Sequence, residues 1–314
     1  MKIQAFDFYN SANLKAYNLN DIMRYQLSVL DNMDPITKKH SESVANLVCR
    51  ICEYKGYDYR AIIHSTMNAY LHDVGKLAIP SSIINKPGKL TDEEYEIIKT
   101  HTSKGYQICM KDLKLRPYAT ATLYHHEALD GSGYPNGVSK KDIPYIGQIV
   151  RVADEYDAIT AKRQYKTHVD ISQTLQILID EAQPIHSKKI VALDHLKGEK
   201  KSGKIDGNIL RILFKVVIDD ITYEIASTED YTKYLRSELK RLETINKYYE
   251  KMIGSKKDKD KKYFESGIQM LLEEGETVDN FRIITNEYVK TLINKEDIIK
   301  KLYSEIKIIK KLKI

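Results

Sequence analysis

The stretch Thr122–Pro135, TLYHHEALDGSGYP, holds two adjacent histidines, an acidic residue, a glycine-rich turn and a Tyr-Pro pair. Consecutive residues of a helix point about 100° apart, so His125 and His126 reach one ion only if it lies between their directions, near a helix end. The glycines that follow permit positive φ or close backbone approach, which is typical of a loop that leans over a bound group. A plain turn between two helices is the simpler interpretation. The first interpretation requires further metal ligands elsewhere in the chain.

Other histidines and carboxylates fall inside predicted helices or at their ends. Asp34-Pro35 predicts a helix start, after which the spacing of apolar residues places His40 on an apolar stripe. A single histidine on such a stripe is more often a hydrogen-bonded core residue than a ligand. The motif HDVGK ends the next predicted helix, with Gly75 as its expected C-cap, and a Thr91–Glu94 capping box opens a helix that continues through His101, where Gly105 gives the imidazole room. The candidate metal ligands are His40, His72, Asp73, His101, His125, His126 and Asp154.

So many ligands exceed the coordination of one ion and suit two, with Asp73 as the expected bridge between them. A set of imidazoles and carboxylates without thiolates favours iron or manganese, with zinc and nickel as further candidates. Two such ions a few ångströms apart generate a hydroxide at neutral pH and hold a phosphoryl group for in-line displacement. The set therefore predicts a hydrolytic metal centre. The competing interpretation, unrelated core and helix-end residues, requires an independent coincidence at every position.

The composition is that of an ordinary globular protein, since 42% of the 314 residues are hydrophobic and 30% are charged. The net charge of +6 arises from residues 188–204 and 229–314, where solvated helix faces are a better explanation than binding to a nucleic acid polymer. The three cysteines fit a reducing compartment, and Cys49 and Cys52 are expected to be buried thiols. No signal peptide is recognisable and the apolar run 209–218 is too short for a membrane span, so a cytoplasmic location is predicted.

The motifs together resemble those of the HD-GYP proteins, a bacterial branch of the HD phosphohydrolase superfamily. The matching segments, in the family's order and spacing, are DPITKKHSESVA, HDVGK, His101 before Gly105, HHEALDGSGYP, VADEYDAI and RQYK. The match covers about residues 34–183 and extends more loosely to 220. The resemblance implies an all-α fold, an HD-domain helical bundle with a metal centre in its core, followed by a helical C-terminal extension.

The resemblance also implies a role for each matching residue. The expected ligands of one ion are His40, His72, Asp73 and Asp154, and those of the second are Asp73, His101, His125 and His126. The expected catalytic residues are Asp73 and Lys76, a lysine that stabilises charge beside the scissile phosphate. The expected substrate-binding residues are Gly133, Tyr134 and Pro135 in the signature loop at the pocket mouth, and Arg163 and Lys166, which contact substrate phosphate.

The family substrate is cyclic di-GMP, so the expected reaction is attack of a metal-bridging hydroxide on a phosphodiester bond to give pGpG, with further hydrolysis to GMP left open. Two alternatives stay open: a weakly active cyclic di-GMP receptor that signals through its C-terminal helices, and an HD hydrolase for another cyclic dinucleotide such as cyclic GMP-AMP. Family members with three metal ions carry a glutamate where this chain has Ile36, so two ions are predicted. Ala128-Leu129 and Gln148 replace an Arg-Trp pair and an arginine that are usual in the family.

Helical patterns continue on both sides of the motifs. The predicted regions are an N-terminal helical leader (1–33), an HD-GYP catalytic domain (34–220) and a helical C-terminal region (221–314). The run Val216–Ile225 is equally compatible with a strand. Short heptad-like runs at 235–253 and 299–309 flank a predicted solvated linker over residues 254–262. Because each run is short, homodimerisation and packing within one chain are both open.

Overall fold

The structure, a computed structural model, describes residues 28–164, 171–183 and 203–313, with the backbone alone at 161–164. Most of the predicted leader therefore lies outside the described residues. The described part consists of α-helices and short 3-10 segments and contains no β-strand, only an isolated bridge between Asp130 and Ser139. The prediction of an all-α fold is confirmed. No helix in these ranges has an apolar stretch sufficient for a membrane span.

The helices are α1 (Pro35–Tyr54), α2 (Tyr59–Leu71), α3 (Ser81–Ile84), α4 (Asp92–Lys99), α5 (His101–Lys111), α6 (Thr120–Tyr124), α7 (Tyr145–Gln164), α8 (Ile171–Ala182), α9 (Gly207–Gly254), α10 (Asp258–Leu271) and α11 (Phe281–Ile309). The 3-10 segments are Ser28–Asn32, Val74–Ala78 and Arg116–Tyr118. The chain divides into two compact units: unit 1 is Met1–Asp220 with Ile308–Ile314, and unit 2 is Ile221–Lys307. The predicted difference in function between residues 34–220 and residues 221–314 stays a prediction.

Side-chain caps fix the start of three helices in unit 1. The Asp34 carboxylate accepts the backbone N–H of Thr37 at 2.9 Å, and Pro35 occupies the first turn of α1 as predicted. Asp58 caps α2 in the same way. The capping box of Thr91 and Glu94 at α4 is confirmed. Each cap satisfies backbone N–H groups that the first turn leaves without an intrahelical partner.

The apolar stripe of α1 packs against α2 and α7. Its members Val44, Val48 and Ile51 are fully buried, as are Met67 of α2 and Val150 of α7. Full burial of one such aliphatic side chain contributes about 1.5–3 kcal/mol to folding. The stripe therefore holds together the three helices that carry or precede His40, His72 and Asp154.

Two glycines bring α5 against the 3-10 segment that follows Asp73. A Cβ on Gly75 would clash with the carbonyl oxygen of His101, and one on Gly105 would lie 3.0 Å from the backbone nitrogen of Gly75. The prediction that Gly75 caps α2 is wrong, because His72 is the C-cap residue. The prediction that Gly105 makes room for the His101 imidazole is wrong too. The backbone of Gly75 and the side chain of Thr122 fill the space beside Gly105.

His101 stands at the start of a helix and not within one. The helix that opens at the capping box ends at Lys99, and α5 begins at His101 with Thr100 between them. The predicted continuous helix is therefore wrong. From the start of α5, His101 places its Nε2 3.2 Å from Asp73 Oδ1.

Helix α9 runs unbroken from Gly207 to Gly254, so the strand alternative for Val216–Ile225 is wrong. Within unit 1, Arg50 of α1 fixes this helix by donating to the Val216 carbonyl oxygen at 3.0 Å and to Asp220 at 2.5 Å. The predicted linker after Gly254 is shorter than expected, because α10 already begins at Asp258.

Unit 2 has a small core of its own. Leu242 and Ile245 of α9 pack with Ile268 of α10 and Phe281 of α11. Beside this core Arg241 donates to Glu238, to Glu276 and to the Leu271 carbonyl oxygen. The heptad-like run of α9 thus contributes residues to a core within one chain, and homodimerisation stays a prediction.

Candidate metal centre

The predicted ligands meet where several helices of unit 1 end. Those at helix ends are His72 and Asp73 after α2, His101 at the start of α5, and His125 and His126 after α6. His40 lies within α1 and Asp154 within α7. His72, Asp73, His101, His125 and Asp154 are buried. His40 and His126 keep partial exposure toward a cavity.

Asp73 lies at the middle of the cluster. Its Oδ1 is 3.2 Å from His101 Nε2 and 3.8 Å from His125 Nε2. Its Oδ2 is 3.4 Å from His72 Nε2 and 3.8 Å from His40 Nε2. The two oxygens thus face different pairs of imidazoles, which is the arrangement that a bridging carboxylate requires.

Asp154 lies on the other side of the same group. Its Oδ1 is 3.0 Å from His40 Nε2 and 3.9 Å from His72 Nε2. Its Oδ2 is 3.9 Å from His126 Nδ1. The carboxylate therefore lies among imidazoles from three separate elements.

Backbone carbonyl groups hold three of the imidazoles in one orientation. The Nδ1 atoms of His72, His101 and His125 lie 2.7, 2.7 and 2.8 Å from the carbonyl oxygens of Ala69, Ile98 and Ala121. A carbonyl oxygen only accepts, so each Nδ1 carries the proton and donates it. Each Nε2 then presents its lone pair inward, the tautomer that a metal-binding histidine uses.

The residues fit a divalent metal ion. Groups whose ligand atoms all lie within 4.8 Å of one another are His40, His72 and Asp73; His101, His125 and His126; and His72, His125 and Asp154. Asp73 Oδ1 and His72 Nε2 are buried without a hydrogen-bond partner among the described residues. His101 Nε2 and His125 Nε2 lie only 3.1 Å apart, although both are lone-pair atoms in the tautomers assigned above. Buried polar atoms with no partner are rare in folded proteins, and a cation between them removes the penalty.

Burial and neighbouring charge shift the pKa values of the cluster in opposite directions. Burial lowers the pKa of His126 to about 3 and holds that of His125 well below its usual range. Burial also opposes a charge on His40, but hydrogen bonds to Asp154 and Asp157 raise its pKa to about 10. The neutral imidazoles are ready to bind a metal ion, whereas His40 must first release a proton.

Asp73 is ionised in spite of its burial. Desolvation opposes the charge, but Lys76 holds the pKa of the Asp73 carboxyl well below its ordinary value. Lys76 donates to Asp73 Oδ2, and this contact raises the pKa of Lys76 although burial opposes it. The ammonium group thus stands charged at the edge of the cluster.

Above the cluster lies a cavity of about 600 Å³. Its lining includes His40, Asp73, Lys76, His126 and Asp154. A cavity of this volume is large enough for a small-molecule ligand. The cluster and Lys76 are therefore accessible to a ligand on one side.

The signature loop forms part of the cavity wall. Gly133 leaves no room for a Cβ, which would clash with the backbone of Ala128 and His126. The Tyr134 N–H donates to the His126 carbonyl oxygen at 3.1 Å, and the Tyr134 ring stacks on the His126 ring at 4.7 Å. Gly133 and Tyr134 line the cavity, whereas Pro135 is not among its lining residues.

The two residues predicted to contact substrate phosphate, Arg163 and Lys166, have no described side chains. Arg163 lies near the end of α7, but its side chain falls outside the described part of the structure, as does the whole of Lys166. Their role stays a prediction.

Several residues of the site are absent from the predicted set. Asp157 lies 2.7 Å from His40 Nδ1 and also accepts from Ser43. Its position three residues after Asp154, on the same helix face, was the available signal. Glu127 accepts the backbone N–H groups of Asn136 and Val138 at 2.6 and 3.1 Å and so fixes the loop. These hydrogen bonds join residues across a loop, so helical periodicity in the sequence does not predict them.

The chain belongs to the HD domain family, whose sequence model matches residues 25–188. A cyclic di-GMP phosphodiesterase from Thermotoga maritima is 38% identical over 170 residues, which cover 54% of this chain and 46% of the relative. A 3'3'-cGAMP-specific phosphodiesterase from Vibrio cholerae is 35% identical over 150 residues, 48% of this chain and 33% of the relative. The predicted resemblance is confirmed.

A solved structure of an HDG"Y"P protein from Bdellovibrio bacteriovorus is 21% identical, with a TM-score of 0.44, and covers 68% of this chain and 64% of that one. The chain spans less than half of the length of the curated relatives named above.

Proposed function

We propose that this chain is a metal-dependent phosphodiesterase that hydrolyses cyclic di-GMP to pGpG. The observation that carries the proposal is the convergence of His72, His101 and His125 Nε2 on the Asp73 carboxylate beneath an open cavity. The relative from Thermotoga maritima bears the name of this activity, which supports the choice of reaction.

We assign two divalent ions, iron or manganese, to the centre. His40, His72, Asp73 and Asp154 would hold one ion, and Asp73, His101, His125 and His126 would hold the other. Such ions supply Lewis acidity to a phosphoryl group and lower the pKa of coordinated water. The donor set supports this choice, because imidazoles and carboxylates without thiolates suit iron and manganese.

The chain's own residues bind and orient the phosphodiester. Lys76, held charged by Asp73, neutralises a phosphate oxygen at the edge of the cluster. Burial raises the pKa of the Tyr134 phenol, so this group stays protonated and donates a hydrogen bond to an anionic substrate. Glu127 holds the loop that carries Tyr134, which keeps the phenol in position when substrate enters.

The test is turnover by the purified protein loaded anaerobically with Mn²⁺ or Fe²⁺, with products separated by chromatography. We expect conversion of cyclic di-GMP to pGpG, and its loss in the His72→Ala/Asp73→Ala double variant. Tight binding of cyclic di-GMP with no product in either metal would contradict the proposal and favour the receptor alternative. The same chromatogram shows whether hydrolysis continues to GMP.

Cyclic GMP-AMP is a second candidate substrate, because relatives from Vibrio cholerae are named as phosphodiesterases specific for it. The chemistry at the centre is the same, and only the base contacts differ. Turnover of both cyclic dinucleotides by the same preparation, compared as kcat/KM, decides between them.

A homodimer through the helices of unit 2 and a cytoplasmic location remain proposals. The heptad-like spacing in α9 and α11 supports the dimer. Sedimentation equilibrium of the full chain is the direct measurement, and a monomer at micromolar concentration would contradict it.

A further inference from the structure

A second cavity, of about 390 Å³, adjoins the one above the cluster around Asp73. Ile36, Thr37 and Lys76 line both cavities, so the two meet at these residues. The remaining lining residues come from the N-terminus of α1, from the stretch 79–85 and from α4: Asp34, Ile79, Ile84, Asn85 and Ile98. We call this second cavity the side pocket. The proposed hydrolysis gives it no role.

The side pocket is lined mainly by aliphatic side chains. Its isoleucines are Ile36, Ile79, Ile84 and Ile98. Ile79 is buried, and Ile84 and Ile98 are half-buried. Ile36 is 75% exposed, at the junction of the two cavities. Aliphatic walls favour contact with an apolar surface, and they offer no hydrogen bond to replace the hydration of an anion.

The charged residues that line the side pocket are Lys76 and Asp34. Lys76 Nζ donates to Asp73 Oδ2, so the ammonium group lies at the cluster. The Asp34 carboxylate accepts the backbone N–H of Thr37 and adds a negative charge to the pocket lining. Like charges repel, so a phosphate group is disfavoured beside Asp34 and favoured beside Lys76. The side pocket therefore suits an uncharged part of a ligand whose phosphate lies at the cluster.

We propose that the side pocket binds the purine base of a nucleotide whose phosphate lies beside Lys76. A purine is uncharged and presents two flat π-faces, which the isoleucine side chains can cover. Its polar edge requires hydrogen-bonding groups, and the carboxamide of Asn85, an exposed residue of the pocket lining, offers both donors and an acceptor. A mainly apolar lining with few polar groups is typical of small-molecule sites. The inference rests on the proposed function, since it takes the base from the same class of substrate.

The test compares GMP with ribose 5-phosphate, which has the same sugar and phosphate but a hydroxyl group in place of the base. The dissociation constants of both are measured by calorimetry on the Mn²⁺-loaded full chain, so the comparison needs no turnover. We expect GMP to bind about tenfold more tightly or better, since a single methylene group in an apolar pocket already accounts for about 10–200-fold.

The variant Ile84→Ser removes part of the aliphatic lining and leaves the first cavity unchanged, because Ile84 lines only the side pocket of the two. We expect the advantage of GMP over ribose 5-phosphate to fall about tenfold, with the constant for ribose 5-phosphate unchanged. KM for cyclic di-GMP should rise by a similar factor with little change in kcat. The matched control is Ile83→Ser. Ile83 is the half-buried neighbour in α3 that lines neither cavity, and its variant should bind both ligands as the wild type does.

The outcomes separate this inference from the proposed function. Equal binding of GMP and ribose 5-phosphate by the wild type, or no measurable binding of either, overturns the inference. An unchanged advantage of GMP in the folded Ile84→Ser protein overturns it as well. If that variant does not fold, Ile36→Ser decides in its place, because Ile36 is exposed and its replacement leaves the core intact. A wild-type protein that prefers GMP as expected but does not hydrolyse cyclic di-GMP contradicts the proposed function and supports the base pocket.

Discussion

Both units of the chain bury charged side chains, but they satisfy them in different ways. In unit 2, Arg241 bonds Glu276 through two nitrogens at 2.6 Å each and Glu238 at 2.7 Å. In unit 1, Asp73 and His72 leave buried polar atoms without a partner among the described residues. The first network is closed within the chain, and the second leaves buried atoms that a bound cation would satisfy.

The difference distinguishes buried charges that are satisfied within the fold from buried polar atoms that could bind a cation. A fully bonded network satisfies the groups that burial has removed from water. An open network of imidazoles whose Nδ1 atoms are already bonded leaves their Nε2 atoms for a cation. Substitutions in the two networks should therefore change different measured quantities.

The largest effect is expected for Asp73→Asn in unit 1. The amide oxygen cannot serve both sets of imidazoles, because only the carboxylate presents an anionic oxygen to each. We expect the affinity for the metal ion to fall on the order of 10²-fold or more, since loss of even a hydrogen-bond partner of a ligand costs 10–100-fold in affinity. Hydrolysis of cyclic di-GMP should fall to background. Elemental analysis of purified protein and product chromatography measure the two effects, and retention of both would mean that Asp73 is not a ligand.

Asp157→Asn should weaken metal binding about 10- to 100-fold without changing the ligand set. Asp157 accepts a hydrogen bond from His40 Nδ1, so its loss frees the imidazole to rotate and lowers its basicity. Calorimetric titration with Mn²⁺ measures the change. Asp180→Asn, the same substitution at an exposed position of α8, serves as the control and should bind metal as the wild type does. Equal affinity in both variants would show that Asp157 does not position His40.

Arg241→Met tests the closed network in unit 2. Removal of the guanidinium leaves the Glu238 and Glu276 carboxylates without their main donor, and we expect a loss of roughly 2 kcal/mol in the free energy of unfolding. Metal affinity should not change. Urea unfolding followed by circular dichroism measures the loss, and Lys233→Met at an exposed ion pair is the control, with no measurable change expected. A change in metal affinity in Arg241→Met would contradict the separation of the two networks.

The smallest effect is the dependence of unit 2 on pH. The hydrogen bond from Arg241 lowers the pKa of Glu276 below its ordinary value of 4.5. A group with a lowered pKa in the folded state stabilises the fold above its unfolded pKa, and this contribution is lost as the pH falls through the folded pKa. The difference in unfolding free energy between wild type and Glu276→Gln should therefore be full above about pH 5 and shrink below 4.5. A difference that grows as the pH falls would contradict the assignment.

Much of the site could be predicted because its residues belong to short motifs that are recognisable in the sequence. Asp34-Pro35 and the capping box of Thr91 and Glu94 fix helix starts by local chemistry alone. HDVGK and the HHE motif place ligands at helix ends, where side chains of neighbouring residues converge. These signals depend on spacing within a few residues, which the sequence displays directly.

The parts that sequence failed to predict depend on contacts between distant elements. The role of Gly75 follows from a close approach to the His101 backbone, and helix-end rules misread it as a cap. The helical state of Val216–Ile225 is decided by its packing, since an apolar run of this length suits a strand or a buried helix equally.

The buried cluster around Asp73 keeps polar atoms without partners among the described residues, and we propose that a divalent metal ion binds them. The most direct measurement is a calorimetric titration of the chelator-stripped full chain with Mn²⁺ under anaerobic conditions. We expect saturable binding of Mn²⁺ by the wild type, with proton release from His40, and loss of that binding in Asp73→Asn. Absence of saturable binding in the wild type, or equal binding by the two proteins, would contradict it.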